Sequence, residues 1–185
     1  MDLPKRKPMR YKNFDYSQCG SYFLTISTQN RKNLFWDMEK VYSAKQANEL
    51  EHIINPDFLP LNYAGKIVEK HLMLWQNTYS NVKIENFVIM PNHIHLIVSI
   101  LENESESTKT DISRMVAQFK GCVTKELGEA IWQKGYFDHI IANEKDFNNC
   151  FDYIEANPYI LEEKILEQRK KKMKQQAIFH SIGLL

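Results

Sequence analysis

Nine residues, Met90-Pro-Asn-His-Ile-His-Leu-Ile-Val98, limit what this chain can fold into more than any other stretch. They read as a strand, and in a strand side chains two positions apart point to one face. His93 and His95 therefore project together, while Ile94, Leu96 and Val98 pack on the opposite side. Two buried imidazoles side by side are costly unless they are hydrogen-bonded or share a ligand, and a metal ion is an economical ligand. On spacing alone, a satisfied core pair and a metal-binding pair stand level.

The rest of the chain supplies the frame for that strand. Tyr22–Thr28 follows Gly20 and is aromatic and β-branched, a first strand. Residues 37–60 read as a peripheral excursion with a short helix over Val41–Ile54. In Tyr63–Asn77, the residues Ala64, Ile67, Val68, His71, Leu72 and Trp75 recur at three- and four-residue steps, an amphipathic helix on which His71 reads as a packed core residue. Two extended stretches follow, Val82–Phe87 and Val88–Leu101, the second interrupted by Pro91-Asn92. After a polar loop at Glu102–Thr110, Asp111 reads as the N-cap of a helix marked by Ile112, Met115, Val116, Phe119 and Val123 and ending near Gly128. A strand over Trp132–Ile141 and a helix over Glu144–Ala156 complete the pattern. Asn157-Pro158 is expected to end that helix, because the residue before proline is biased out of the α region. Leu161–Gln176, with Arg169-Lys-Lys-Lys172, reads as a solvated helix or flexible tail.

Strand, helix, strand, strand, helix, strand, helix is the order of a ferredoxin-like, split βαβ fold. The expected class is α+β: one antiparallel sheet with helices packed on it, plus a C-terminal helix. A single domain spanning 1–185 is expected, with 1–13 as a basic arm and 161–185 as a charged tail.

Composition narrows the function classes. The net charge of +1 gives no global basic field, but residues 1–13 hold five Lys/Arg and two prolines, an arm equally suited to phosphate contact or to solubility. Cys19, Cys122 and Cys150 form neither an even set nor a CxxC pair, which argues against a disulfide framework and for a reducing cytoplasm. No apolar run is long enough for a membrane span.

A second pattern lies in Asp152-Tyr153-Ile-Glu-Ala-Asn157-Pro158, where Tyr153 and Asn157, four apart, share one helix face. A half-buried packing tyrosine is one reading. The other makes Tyr153 a nucleophile, with Asn157 supplying an oxygen nearby. A phenol ordinarily ionises near pH 10, so attack at neutral pH needs a base or a nearby cation.

Together, MPNHIHLIV and DYIEANP resemble the single-tyrosine transposases whose hallmark is His-hydrophobic-His, most closely the REP-associated tyrosine transposases. RYKNFDYSQCGSYFLTISTQNRKNLF, Phe119-Lys120-Gly121 and WQKGYFDHII are similar to the same family. The resemblance implies that His93 and His95 bind a divalent metal ion, Mg²⁺ or Mn²⁺, with Asn157 as third ligand. It implies that Tyr153 attacks the scissile phosphate of single-stranded DNA beside a hairpin or palindromic repeat, leaving a 5′-phosphotyrosine link and a free 3′-OH. Arg6, Arg10, Lys12, Arg31, Lys120 and the tail lysines are candidate DNA contacts, and His139 a structural hydrogen-bonding residue. Three alternatives are a catalytically silent repeat-hairpin DNA-binding protein of this fold, a histidine-triad hydrolase, whose pattern wants a histidine where Ile97 stands, and a structural protein with core histidines, which leaves Tyr153 and Asn157 unexplained. Whether the histidines and the tyrosine meet within one chain or across a homodimer is left open.

Overall fold

The structure, a computed structural model, describes residues 14–47, 54, 59–102 and 111–181, without the side chains of 76, 169 and 172–181. The basic arm, residues 48–53 and 55–58, most of the acidic loop and residues 182–185 fall outside this set. The described elements are strand β1 (Gly20–Ser27), helix α1 (Met38–Ala47), helix α2 (Tyr63–Thr78), strand β2 (Val82–Met90), strand β3 (His93–Ile100), helix α3 (Ile112–Leu127), strand β4 (Phe137–Ile140) and helix α4 (Glu144–Ser181). The sheet order is β2-β3-β1-β4. Every pairing is antiparallel. With a helix connecting β1 to β2 and another connecting β3 to β4, this is the expected split βαβ sandwich.

One face of the sheet is core. Tyr22, Leu24 and Ile26 of β1 and Ile94, Leu96 and Val98 of β3 are almost fully buried, together with Ile67, Val68, Leu72 and Trp75 of α2 and the five apolar residues expected on α3. Trp75 of α2 stacks on Phe119 of α3, ring centres 5.3 Å apart. Asp111 caps α3 as expected, accepting from the Arg114 amide, and Gly128 closes it in a left-handed conformation. The first turn of α2 passes so close to Phe35 that a Cβ on Gly65 would lie 2.2 Å from the Phe35 carbonyl oxygen. Asn62 fixes this approach, accepting from the Gly65 amide and donating to the carbonyls of Leu34 and Trp36. Half-buried His71 is not purely a packing residue, since its Nε2 lies 2.7 Å from Glu126 Oε2.

Four boundaries differ from expectation. The break between the central strands falls at Pro91-Asn92, with Met90 paired to His93, rather than at Phe87/Val88. Proline suits a turn because its φ is already set and it has no amide hydrogen to leave unpaired. The irregularity nearer Phe87 is only a register shift between Ile84 and Asn86. The run 132–141 pairs with β1 through β4 and bridges Thr28, just past the end of β1, through Trp132, but Gly135 at φ 75° interrupts it. The short helix begins three residues early, at Met38, and its described part ends at Ala47. Finally, α4 does not stop at Asn157 but carries Pro158 inside it through to Ser181. The Asn157 side chain donates to the Tyr153 carbonyl in the turn that the proline disrupts, and burial of Ile154 and Ile165 holds the helix down on both sides of it. No described helix is long and apolar enough to cross a membrane.

Candidate active site

The second face of the sheet carries the histidines. Register places His95 beside Thr25 and Val88, and His93 beside Ser27 and Met90. Paired residues share a face, so Phe23, Thr25 and Ser27 surround the imidazoles from β1. His95 is 6% exposed. The two Nε2 atoms converge to 3.0 Å. On the far side of each ring, His93 Nδ1 meets Asn92 Oδ1 at 2.6 Å, and His95 Nδ1 meets Thr25 Oγ1 at 2.9 Å.

These contacts decide where the protons sit. The Asn92 amide nitrogen donates to the Arg31 carbonyl and to Asn33 Oδ1, which leaves its oxygen as the acceptor facing His93. His93 must therefore donate from Nδ1, and its Nε2 lone pair points at His95. The Thr25 hydroxyl can donate or accept, so His95 has two choices. It can donate Nε2–H to His93, or turn its proton to Thr25 and offer a second lone pair. Imidazole nitrogens about 2.1 Å from one ion in adjacent octahedral positions stand about 3.0 Å apart. The pair thus fits a divalent ion through one tautomer and satisfies itself through the other. Burial, reinforced by the Arg31 cation, holds His93 down to about 4. Burial, then His93, then Arg31 hold His95 down to about 3. Both rings are neutral at pH 7, the form a metal requires.

Helix α4 lies across this face and brings Tyr153 to the histidines of its own chain. The Tyr153 ring packs edge-on against His95 at 5.2 Å between ring centres and against Phe23 at 5.9 Å. At 46% exposure it remains open to a substrate. Glu155 points elsewhere, accepting from Asn86 of β2 at 2.7 Å. Asn157 is buried, with its amide nitrogen turned back on the Tyr153 carbonyl. One end of the helix is clasped to the sheet: His139 of β4 meets both Asp146 oxygens, at 2.9 and 3.0 Å, and the Ala142 amide donates to the same carboxylate. His139 thus has the structural role expected of it. Its Nε2, Asp146 and Cys150 also place three ligand atoms within 4.8 Å of one another.

Of the expected DNA contacts, Arg6, Arg10 and Lys12 lie outside the described residues. Arg31 is exposed at the edge of the histidine face. The Lys120 ammonium is tied to the carbonyls of Gln133, at 2.9 Å, and Gly135. In return Trp132 Nε1 donates to the Lys120 carbonyl. The Phe119-Lys120-Gly121 and Trp132–Phe137 motifs are therefore two sides of one brace. Sequence reasoning missed Asn92 and Thr25. The only signal for Asn92 was its place next to His93 after a proline, and Thr25 needed the β1–β3 register.

The chain is similar to several known proteins. The family model described as "Transposase IS200 like" matches residues 66–157, the span holding both histidines, Tyr153 and Asn157. An uncharacterized Haemophilus influenzae protein is 31% identical over 183 residues, covering 85% of this chain and 91% of the relative. A REP-associated tyrosine transposase of Escherichia coli is 32% identical over 144 residues, covering 77% of this chain and 68% of that protein. A solved structure of a REP-associated tyrosine transposase bound to a REP hairpin shares the fold, with a TM-score of 0.53 at 21% identity over 81% of this chain and 72% of that one. By its identity to that Escherichia coli relative, the chain belongs to the REP-associated tyrosine transposases.

Proposed function

We propose that this protein is a metal-dependent single-stranded DNA endonuclease and strand transferase that acts at hairpin or palindromic repeat DNA through a 5′-phosphotyrosine intermediate. The observation that carries the reading is the packing of Tyr153 against His95 of the same chain at 5.2 Å. His93 and His95 would hold the ion, with the Asn157 oxygen as third ligand, since its nitrogen is committed to the Tyr153 carbonyl. Imidazole suits Mn²⁺ better than Mg²⁺, and both are candidates. When bound, the ion supplies positive charge against the non-bridging oxygens of the scissile phosphate.

The chain's own groups do the rest. Tyr153 Oη passes its proton to solvent water and bonds to phosphorus in line with the breaking P–O3′ bond. The departing O3′ takes up a proton and leaves as a free 3′-OH. Attack by another 3′-OH reverses the step and joins strands, and the energy kept in the phosphotyrosine makes ATP unnecessary. Arg6, Arg10, Lys12 and Arg31 would track the DNA backbone. The hairpin in the related transposase structure supports this choice of substrate. The whole chain acts as one catalytic domain in the cytoplasm, and one chain suffices for a site.

The test is a covalent-adduct gel with a hairpin-bearing single-stranded oligonucleotide and Mn²⁺. The expected result is an adduct that chelator and Tyr153→Phe both abolish. No adduct from the wild-type protein would favour a silent hairpin-binding role, and an adduct surviving Tyr153→Phe would displace the nucleophile.

A further inference from the structure

A cleft of about 100 Å³ opens beside the histidine pair, lined by Thr25, Ser27, Arg31, Gln133, Lys134 and Phe137. It shares two supports with that pair. Thr25 lines the cleft and hydrogen-bonds His95. Asn92 orients His93 and binds the Arg31 carbonyl. Register sets Phe137 beside Thr25 and Thr25 beside His95, so the three occupy one row across β4, β1 and β3 on the same face. Two strand spacings, about 10 Å, separate Phe137 from His95. Phe137 is 52% exposed, an unusual place for a large aromatic ring in the same row as buried His95.

The walls are built rather than loose. Asn30 and Arg31 both take left-handed conformations, at φ 56° and 53°, which side chains other than glycine and asparagine seldom adopt. Thr28 holds that turn, accepting from the Arg31 amide and donating its hydroxyl to the Lys32 carbonyl. On the other side, Lys120 fixes the carbonyls of Gln133 and Gly135. None of the ion pairs among the described residues uses Arg31 or Lys134.

We propose that this cleft is the subsite for the unpaired nucleotide flanking the scissile phosphate, with its base stacked on Phe137 and its phosphates held by Arg31 and Lys134. A cation pair beside an exposed ring is the combination that binds single strands, since every base has a stacking face. A base inside a duplex has both faces covered by its neighbours and cannot lay one on Phe137, so the cleft favours a single-stranded flank. The inference rests on the cleavage reading above for the position of the scissile phosphate.

Two measurements separate its failure from failure of that reading. The first uses Tyr153→Phe protein and uncleaved oligonucleotides carrying 2-aminopurine immediately before or after the scissile phosphate. Quenching at one flank is expected, lost with Phe137→Ala and retained with Phe137→Trp. Quenching at neither flank, or quenching unchanged by Phe137→Ala, overturns the subsite whether or not the protein cleaves. The second compares adduct formation on an oligonucleotide that is abasic at the quenched position. Phe137→Ala is expected to slow the reaction about 5- to 150-fold on the intact strand, the range for one base stack, and to have no effect on the abasic strand. Equal slowing on both strands contradicts the proposal.

Discussion

Tyr153 rests its ring edge-on against His95 of its own chain, with 5.2 Å between ring centres. The contact joins two motifs that nothing local connects. It depends on α4 lying over the histidine face of the sheet, clasped at its start by His139 and Asp146 and tied further along by Glu155 to Asn86. The tyrosine is thus positioned by groups that do not themselves touch the histidines.

Asn92 sets the tautomer of His93, and its removal should be felt at the metal. With Asn92→Ala, the His93 ring loses its Nδ1 acceptor and is free to rotate or exchange tautomers. Mn²⁺ affinity measured by calorimetry is expected to fall about 10- to 100-fold, the usual effect of losing such a supporting group. The fold should persist, because Asn92 lies in a hairpin turn. An unchanged affinity would remove Asn92 from the site.

The depressed histidines make a pH prediction with a definite sign. Above about 6.5 the imidazoles are neutral both folded and unfolded, and protons contribute nothing. As pH falls below 6.5 the unfolded chain takes up protons that the folded His93 refuses until about 4 and His95 until about 3. Stability is therefore lost through that window, on the order of 2 kcal/mol from His93 alone between pH 7 and pH 4.5. Urea unfolding at the two pH values should show a smaller acid loss for His93→Gln than for the wild type. Equal losses would mean that His93 titrates freely in the folded state.

Much of this was legible in the sequence, and what was not has physical reasons. Alternation put His93 and His95 on one face and Ile94, Leu96 and Val98 on the other, as found. The Asp111 cap and the α3 core residues followed from helical periodicity. Local patterns do not carry register, so the Thr25–His95 bond had no signal. Nor did the left-handed Arg31, since arginine is not a residue that marks such a turn. Pro158 misled because a local bias was overridden by burial of Ile154 and Ile165 on either side of it.

Two glycines should respond to alanine with opposite signs. Gly65 has no room, since its Cβ would strike the Phe35 carbonyl oxygen, and Gly65→Ala should cost about 1–3 kcal/mol. Gly121 lies inside α3 with nothing within 4 Å of an added Cβ. There alanine should stabilise by about 0.5–1 kcal/mol, because glycine is a poor helix residue. Urea midpoints of the two variants check both. A tolerated Gly65→Ala would contradict the close approach of α2 to Phe35.

A single chain is expected to supply both halves of the site, and subunit mixing tests this directly. One variant carries His93→Ala and His95→Ala, and the other Tyr153→Phe. Each is incubated alone and then together with a hairpin oligonucleotide and Mn²⁺, beside the wild type. The expected result is covalent adduct from the wild type and none from either variant or from their mixture. Adduct restored by mixing the variants would contradict the single-chain site and put the tyrosine of one subunit at the histidines of another.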